Sequence, residues 1–346
     1  MSGVAVITAV ERTAARIIRS MEPKPFDAVL LVAFGGPQGP ADVRPFLDNV
    51  LRGRRVPRER IEEVAHHYDL FGGISPLTEL TRRQARLLEE RLRGTGLALP
   101  VLVGMRNWHP FLADTLERMT ASGVRRAIGV LASAQRSYSG CLQYKENVRD
   151  AQALVRERSG RSLDVVYVGD WHEHPGFVEA NADHVRDARA RLPEGVRDRA
   201  RLIFTAHSIP LSMAAAYPYV RQLRASAVRV AGAAGFDDWT LVFQSRSGRP
   251  QDPWLEPDVC DALRAEHARG TAAVVLCPIG FLCDHVEVLY DLDVEAAGLA
   301  RDLGLPLVRA SAVNVHPRFI DALADAVTDV WDRYKGGRPL RISHGP

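Results

Sequence analysis

The chain has 346 residues, enough for two domains of common size or one large one, and its 46% hydrophobic and 25% charged content is ordinary for a globular protein. A net charge of +3 is too small to argue for a nucleic-acid partner, and no apolar run approaches the ~20 residues of a membrane span. Cys141, Cys260, Cys277 and Cys283 form neither a C-x-x-C pair nor a disulfide-like framework, so a reducing cytoplasm is the expected compartment.

Residues 1–25 carry Arg12, Arg16 and Arg19 but no cleavable apolar core, and are expected to be a loose N-terminal extension. Short apolar runs then predict eight strands: Ala28–Ala33, Val101–Val103, Ala127–Ala132, Val165–Val168, Leu202–Thr205, Leu241–Phe243, Ala272–Cys277 and Pro306–Val308. Helical periodicity falls at Pro76–Arg93, Pro110–Ala121, Leu142–Arg158, Phe177–Arg191, Val220–Ala233, Pro257–Arg269, Val286–Leu303 and Pro317–Tyr334. Strands alternating with helices predict an α/β fold with parallel sheets.

Eight strands are also compatible with a barrel, but an internal repeat argues against closure. LLVAFGGP (30–37) and LIFTAHSIP (202–210) share an apolar strand, an alanine, one distinctive residue and a later proline. In that register Phe34 matches His207, and each copy opens a series of four strands. The expectation is two similar Rossmann-like halves, each a four-stranded parallel sheet flanked by helices, divided as 26–195 and 196–346. The last helix packs back on the first half. Ligands of open parallel sheets bind beyond the carboxyl ends of the strands, so Phe34, His207 and residues 278–295 would face an interdomain cleft.

FGGPQGP lacks both phosphate-loop patterns, and Pro37 and Pro40 are expected to block the helix start such loops need. Residues 49–75 bring Arg52, Arg54, Arg55, Arg58 and Arg60, then His66, His67, Tyr68 and the GGIS loop ending at Ser75. They form either a solvated basic loop and helix or a seat for an anionic ligand with a large flat apolar body. His207 lies at a strand's carboxyl end, and an imidazole there suits proton acceptance near neutrality. His172 and His174 have no third ligand nearby and are expected to be structural.

The stretch 272–295 joins an apolar strand to a helix that Asp284 is expected to cap. Glu287, Asp291 and Glu295 recur every four residues and would stack along one helix face, where like charges repel. Such a row needs plain solvent or cations. His285 and Glu287 offer an imidazole and a carboxylate, both ligands for first-row divalent metals.

Taken together, LVAFGGPQGP, FGGISPL, GMRNWHP, SYSGCLQY, FTAHSIP, FQSRSG with DPWLEPD, and DHVEVLYDLDVE resemble the ferrochelatases, which insert Fe2+ into a porphyrin. The resemblance spans about Phe26 to Tyr334. It implies two Rossmann-like halves with the porphyrin between them, His207 accepting pyrrole protons and Glu287 binding the entering iron. Asp291, Glu295 and His285 would line a path for metal or protons. Ser75 and Tyr144 would contact the macrocycle, beside Phe34; Arg52, His67 and Tyr68 would lie near propionates or the ring edge. Trp108 and Trp254 would be wall or packing residues.

Three departures from the family pattern stand out. Phe34 replaces a tyrosine able to ligate iron. Cys141 matches one cluster ligand of the Gram-positive type, but no cysteine follows Cys283, so no [2Fe–2S] cluster and no other prosthetic group is expected. Gln135 and Arg136 replace a Tyr-Ser pair, and Arg136 would meet a propionate or face solvent. Likeness to the Gram-positive type, with no apolar membrane lip in the sequence, implies coproporphyrin III as substrate, with protoporphyrin IX as the alternative. The same likeness implies a monomer, open to a transient haem-pathway partner. A non-catalytic porphyrin carrier would need a strong axial ligand and no acidic row; a nucleotide enzyme would need the missing phosphate loop.

Overall fold

The computed structural model describes residues 24–53, 56–247 and 251–336. Most of the expected N-terminal extension, together with Arg54 and Arg55, lies outside the described residues.

Two four-stranded parallel sheets organise the chain. The first has the order β2-β1-β3-β4, from Val101–Met105, Ala28–Ala33, Arg126–Leu131 and Asp164–Tyr167. The second repeats it as β6-β5-β7-β8, from Trp239–Gln244, Ala200–His207, Ala273–Cys277 and Leu307–Arg309. Strands β1 (AVLLVA) and β7 (AVVLC) are buried at every residue, the signature of inner strands covered on both faces. The edge strands β4 and β8 have no fully buried residue.

Helices α1 (Pro40–Leu51), α2 (Arg58–Asp69) and α3 (Leu77–Gly94) follow β1. The first was not expected, and the second is the helix of the basic segment. Pro40 does not block a helix; it occupies the first helical turn, where its missing N–H costs nothing and its fixed φ is already helical. Helix α4 (Leu112–Ala121) follows β2. After β3 a π-helical turn, Tyr138–Leu142, opens α5 (Gln143–Ser159). Helix α6 (Pro175–Ala190) follows β4, and the short α7 (Glu194–Arg197) leads into β5. The second half adds α8 (Leu211–Ala216), α9 (Tyr219–Ala234), α10 (Val259–Ala268), α11 (Val286–Val288), a π-helical stretch (Leu289–Ala296), α12 (Ala297–Asp302) and α13 (Pro317–Lys335). The single α-helix expected over 286–303 is therefore widened across its middle.

The last helix of each half is exchanged. Helix α13 lies against α3 and β3 of the first half, with Phe26 edge-on to Tyr334 at 4.9 Å. Helix α6 lies against β7, β8 and α9 of the second. Both begin His-Pro-x-Phe, as HPGF and HPRF, and in both the histidine Nδ1 caps the first turn. His174 is thus structural. The two helices meet through Phe177, Phe319 and Trp171, and a Cβ at Gly176 would stand 2.3 Å from the Arg318 carbonyl. One continuous core results, joining Val29, Leu31 and Val130 to Leu202, Phe204 and Val275 across both sheets.

Candidate active site

Strand β5 ends at His207, whose Nδ1 lies within hydrogen-bonding reach of the Ser208 carbonyl. A carbonyl can only accept, so Nδ1 carries the proton of the neutral ring and Nε2 keeps its lone pair. The Tyr219 hydroxyl donates to the His207 carbonyl at 3.0 Å and fixes the strand end. Nε2 stands 3.8 Å from Glu287 Oε2, with the imidazole 34% and the carboxylate 46% exposed, so both are open to a ligand.

Glu287 is presented by a cap, but Asp284 is not that cap. His285 is, with its Nδ1 accepting the Glu287 N–H at 3.2 Å. Burial holds the His285 pKa below the ordinary imidazole value. The Asp284 carboxylate is spent elsewhere, on Arg309, Asn314 and the Ala312 N–H. Val286 packs into a first-half cluster with Phe46, Tyr68 and Trp108, which seats Glu287 in the seam between the halves.

Along the π-helical stretch, Asp291 accepts from Ser245 Oγ and from Gln244 Nε2 at 3.2 Å. Burial, with Glu287 nearby, pushes its carboxyl up to about 7. Glu295 is raised too, by partial desolvation and by Asp258. Among the described residues no three His, Cys, Asp or Glu side chains converge as a resident metal site would require.

The first half answers with an aromatic wall. Phe34, just past β1, is partly buried and edge-on to Phe46 at 6.2 Å. The Arg106 guanidinium lies 5.6 Å from the Phe34 centroid and 5.5 Å from that of Tyr144, and Arg106 donates to Gln143 Oε1 at 3.0 Å. Tyr68 and Tyr144 are buried, which raises both phenols, Tyr144 to about 12, so both stay neutral. His67 stacks on Tyr290 of the π-helical stretch at 3.5 Å and 12°, closing the seam. Trp108 is buried and donates to Asp42 at 3.2 Å.

Other expected residues stand apart. Ser75 is 3% exposed beneath the β1–α1 turn, where a Cβ at Gly36 would come within 2.7 Å of it, so it supports the turn that carries Phe34. Arg52 donates to Asn49 at 2.5 Å and lines a cavity of about 430 Å³ with Arg106 and Arg158. Arg136 pairs with Asp170 at 3.6 Å, both about half exposed. No apolar lip was read in the sequence, yet Leu70 and Ile74 are about half exposed just before Ser75.

The ferrochelatase family model matches residues 26–330. The chain belongs to the ferrochelatase family. It is 47% identical over 324 residues to the coproporphyrin III ferrochelatase of Mycolicibacterium smegmatis, covering 93% of each chain. It is also 47% identical over 309 residues to a ferrochelatase of Rhodopirellula baltica, covering 89% of this chain and 87% of that one. Among solved structures, SirB of Bacillus subtilis with Fe3+ superposes with a TM-score of 0.57 at 12% identity, over 91% of this chain and all of that one, a likeness of fold.

Within this ferrochelatase fold, several residues at the site went unread in the sequence. Gln244, at the end of β6 and paired in register with His207, reaches both Asp291 and the Glu287 carbonyl. Ser245 adopts a left-handed backbone, φ 59°, as it donates to Asp291. The quoted FQSRSG motif contains both, but nothing local says that they meet a helix more than forty residues away. Among the described residues no helix is long and apolar enough to cross a membrane.

Proposed function

We propose that the protein inserts Fe2+ into coproporphyrin III, with His207 as proton acceptor and Glu287 as the ligand that receives and releases the metal. One observation carries this reading: an unprotonated Nε2 faces a carboxylate across 3.8 Å in the seam between the halves, beside the aromatic cluster of the first half. Metallation exchanges two inner N–H protons for one Fe2+, so the site needs a base beside the metal ligand. His207 Nε2 takes each proton in turn, with the Glu287 carboxylate 3.8 Å away. Asp291, whose carboxyl exchanges protons near neutrality, and Glu295 continue the row and form an exit for protons or an entry for metal. His285 orients Glu287 through the cap.

Phe34 and the edges of Tyr68 and Tyr144 form the opposite wall for a flat macrocycle, with His67 at the seam. The arginine-lined cavity beside Arg52 suits a propionate carboxylate. Coproporphyrin III is favoured over protoporphyrin IX because the Mycolicibacterium smegmatis relative is named for it. The chain needs no [2Fe–2S] cluster. Cys277 and Cys283 are buried beside Asn181 and Gln84 in the interior, and among the described residues no three His, Cys, Asp or Glu side chains converge. We place the enzyme in the cytoplasm as a monomer, passing its product to a transient haem-pathway partner. Its two halves divide near residue 195 in sequence, with the exchanged last helices binding them.

The test is anaerobic turnover with Fe2+ and either coproporphyrin III or protoporphyrin IX, followed by loss of free-base absorbance. Fast metallation of coproporphyrin, lost in His207→Ala and Glu287→Gln, is expected. Preference for protoporphyrin would overturn the substrate assignment alone. Tight binding without metallation would mean a carrier.

A further inference from the structure

Behind Glu287 lies a polar cluster with no part in the chemistry above. Asn314, after β8, donates from Nδ2 to Asp284 Oδ2 at 2.7 Å and accepts the Asp284 N–H at Oδ1, 2.8 Å. Its own N–H goes to the Leu282 carbonyl at 2.9 Å. It therefore grips both sides of the turn that leads into His285 and Glu287. Its backbone is left-handed, φ 45°, a conformation that asparagine tolerates better than most residues. Arg309 holds the same turn from below, donating to Asp284 at 2.8 Å and to both oxygens of Asp293 at 2.6 and 2.8 Å.

The cluster also crosses the seam. Gln84 of α3, 1% exposed, donates to the Asn314 carbonyl at 2.6 Å and approaches Cys283 Sγ at 3.2 Å. The first half, which supplies the aromatic wall, is thus tied to the turn that supplies the metal ligand, three residues upstream of Glu287. We propose that Asn314, anchored by Gln84 and clamped to Asp284, is a positioning residue that sets where the Glu287 carboxylate stands relative to His207 and the opposite wall. This inference rests on the role proposed for Glu287. Partly buried polar groups held by several partners, as here, orient a ligand because any displacement leaves several of them unsatisfied.

Asn314→Gly is the clean probe, since glycine keeps the left-handed backbone and removes only the side-chain clamp. In anaerobic steady-state assays with Fe2+ and coproporphyrin III, kcat/KM for Fe2+ should fall by about 10- to 100-fold while KM for the porphyrin moves by less than about twofold. A purely structural role would lower kcat with the folded fraction and leave KM for Fe2+ unchanged, and that result would overturn the inference. Should Asn314→Gly not fold, Asp284→Asn serves instead, because it keeps the shape of the turn while opposing two amide NH2 groups; the same split is expected and its absence overturns the inference. Glu287→Gln is run alongside. If it is inactive while Asn314→Gly matches the wild type, only the inference fails; if Glu287→Gln matches the wild type, the proposed function fails with it.

Discussion

After its third strand each half widens the helix that follows, at Tyr138–Leu142 in the first and Leu289–Ala296 in the second. π-Helical turns concentrate at functional sites, and here the same backbone device occurs twice on one strand order. What it carries differs. The first copy holds Tyr138, Ser139 and Cys141, with Tyr144 and Phe34 close by; the second holds Asp291, Asp293 and Glu295, with Glu287 and His207 close by. A repeated scaffold thus carries one aromatic wall and one ionisable wall. Topology locates both walls, whereas the side chains at equivalent places decide what chemistry each can offer.

Removing the base from the ionisable wall should have the largest effect. His207→Ala is expected to cut kcat by about 10²- to 10⁴-fold, the usual worth of a positioned proton acceptor, while fluorescence titration still shows porphyrin binding. Loss of binding without a separate loss of kcat would mean that His207 belongs to the seat and not to the chemistry.

Asp291 allows the comparison to be sharpened through stability. Its folded-state pKa of about 7 lies above the ordinary carboxyl range, so the folded chain holds this proton more tightly than the unfolded chain does. The resulting stabilisation is complete below about pH 4 and is lost as pH rises through 7, on the order of 2–4 kcal/mol in all at 1.36 kcal/mol per unit. Asp291→Asn should therefore gain in melting temperature over the wild type between pH 5 and pH 8. A pH-independent difference would remove Asp291 from any proton path.

Much of this plan could be read from the chain, because inner strands of parallel sheets are continuous apolar runs; Ala28–Ala33 was bounded to the residue. Charge left the bounds of α2 unreadable within its basic segment, and α1 is masked by a proline that stands at a favoured first-turn position. No periodicity announces an i→i+5 turn, so the widening of 289–296 was invisible, although the HPGF and HPRF repeat that marks the exchanged helices was plain text. At the site, His207 and Glu287 stood out as residue types at strand and helix ends. Their supports did not, since Gln84 and Asn314 are 230 positions apart and only the exchanged core brings them together.

The stacking that joins the two walls is a smaller contributor. His67→Ala removes the 3.5 Å contact with Tyr290 and should lower the urea-unfolding free energy by about 0.5–1.5 kcal/mol. A larger loss would indicate that this contact holds the halves together more than the shared core does.

The aromatic wall gives the finest test. Phe34 packs between Phe46 and the Arg106 guanidinium and offers no atom to iron. Phe34→Tyr adds a phenol where the ionisable wall has its imidazole, and so makes the two walls more alike. If the first half acts only as a surface, kcat should change by less than about tenfold, or 1.4 kcal/mol. Once the ferrous product is oxidised by air after turnover, it should show an altered absorption spectrum as the new oxygen approaches the metal. A large fall in kcat with an unchanged product spectrum would point the other way. It would mean that the apolar edge of Phe34, and not only the shape of this wall, is required for metallation.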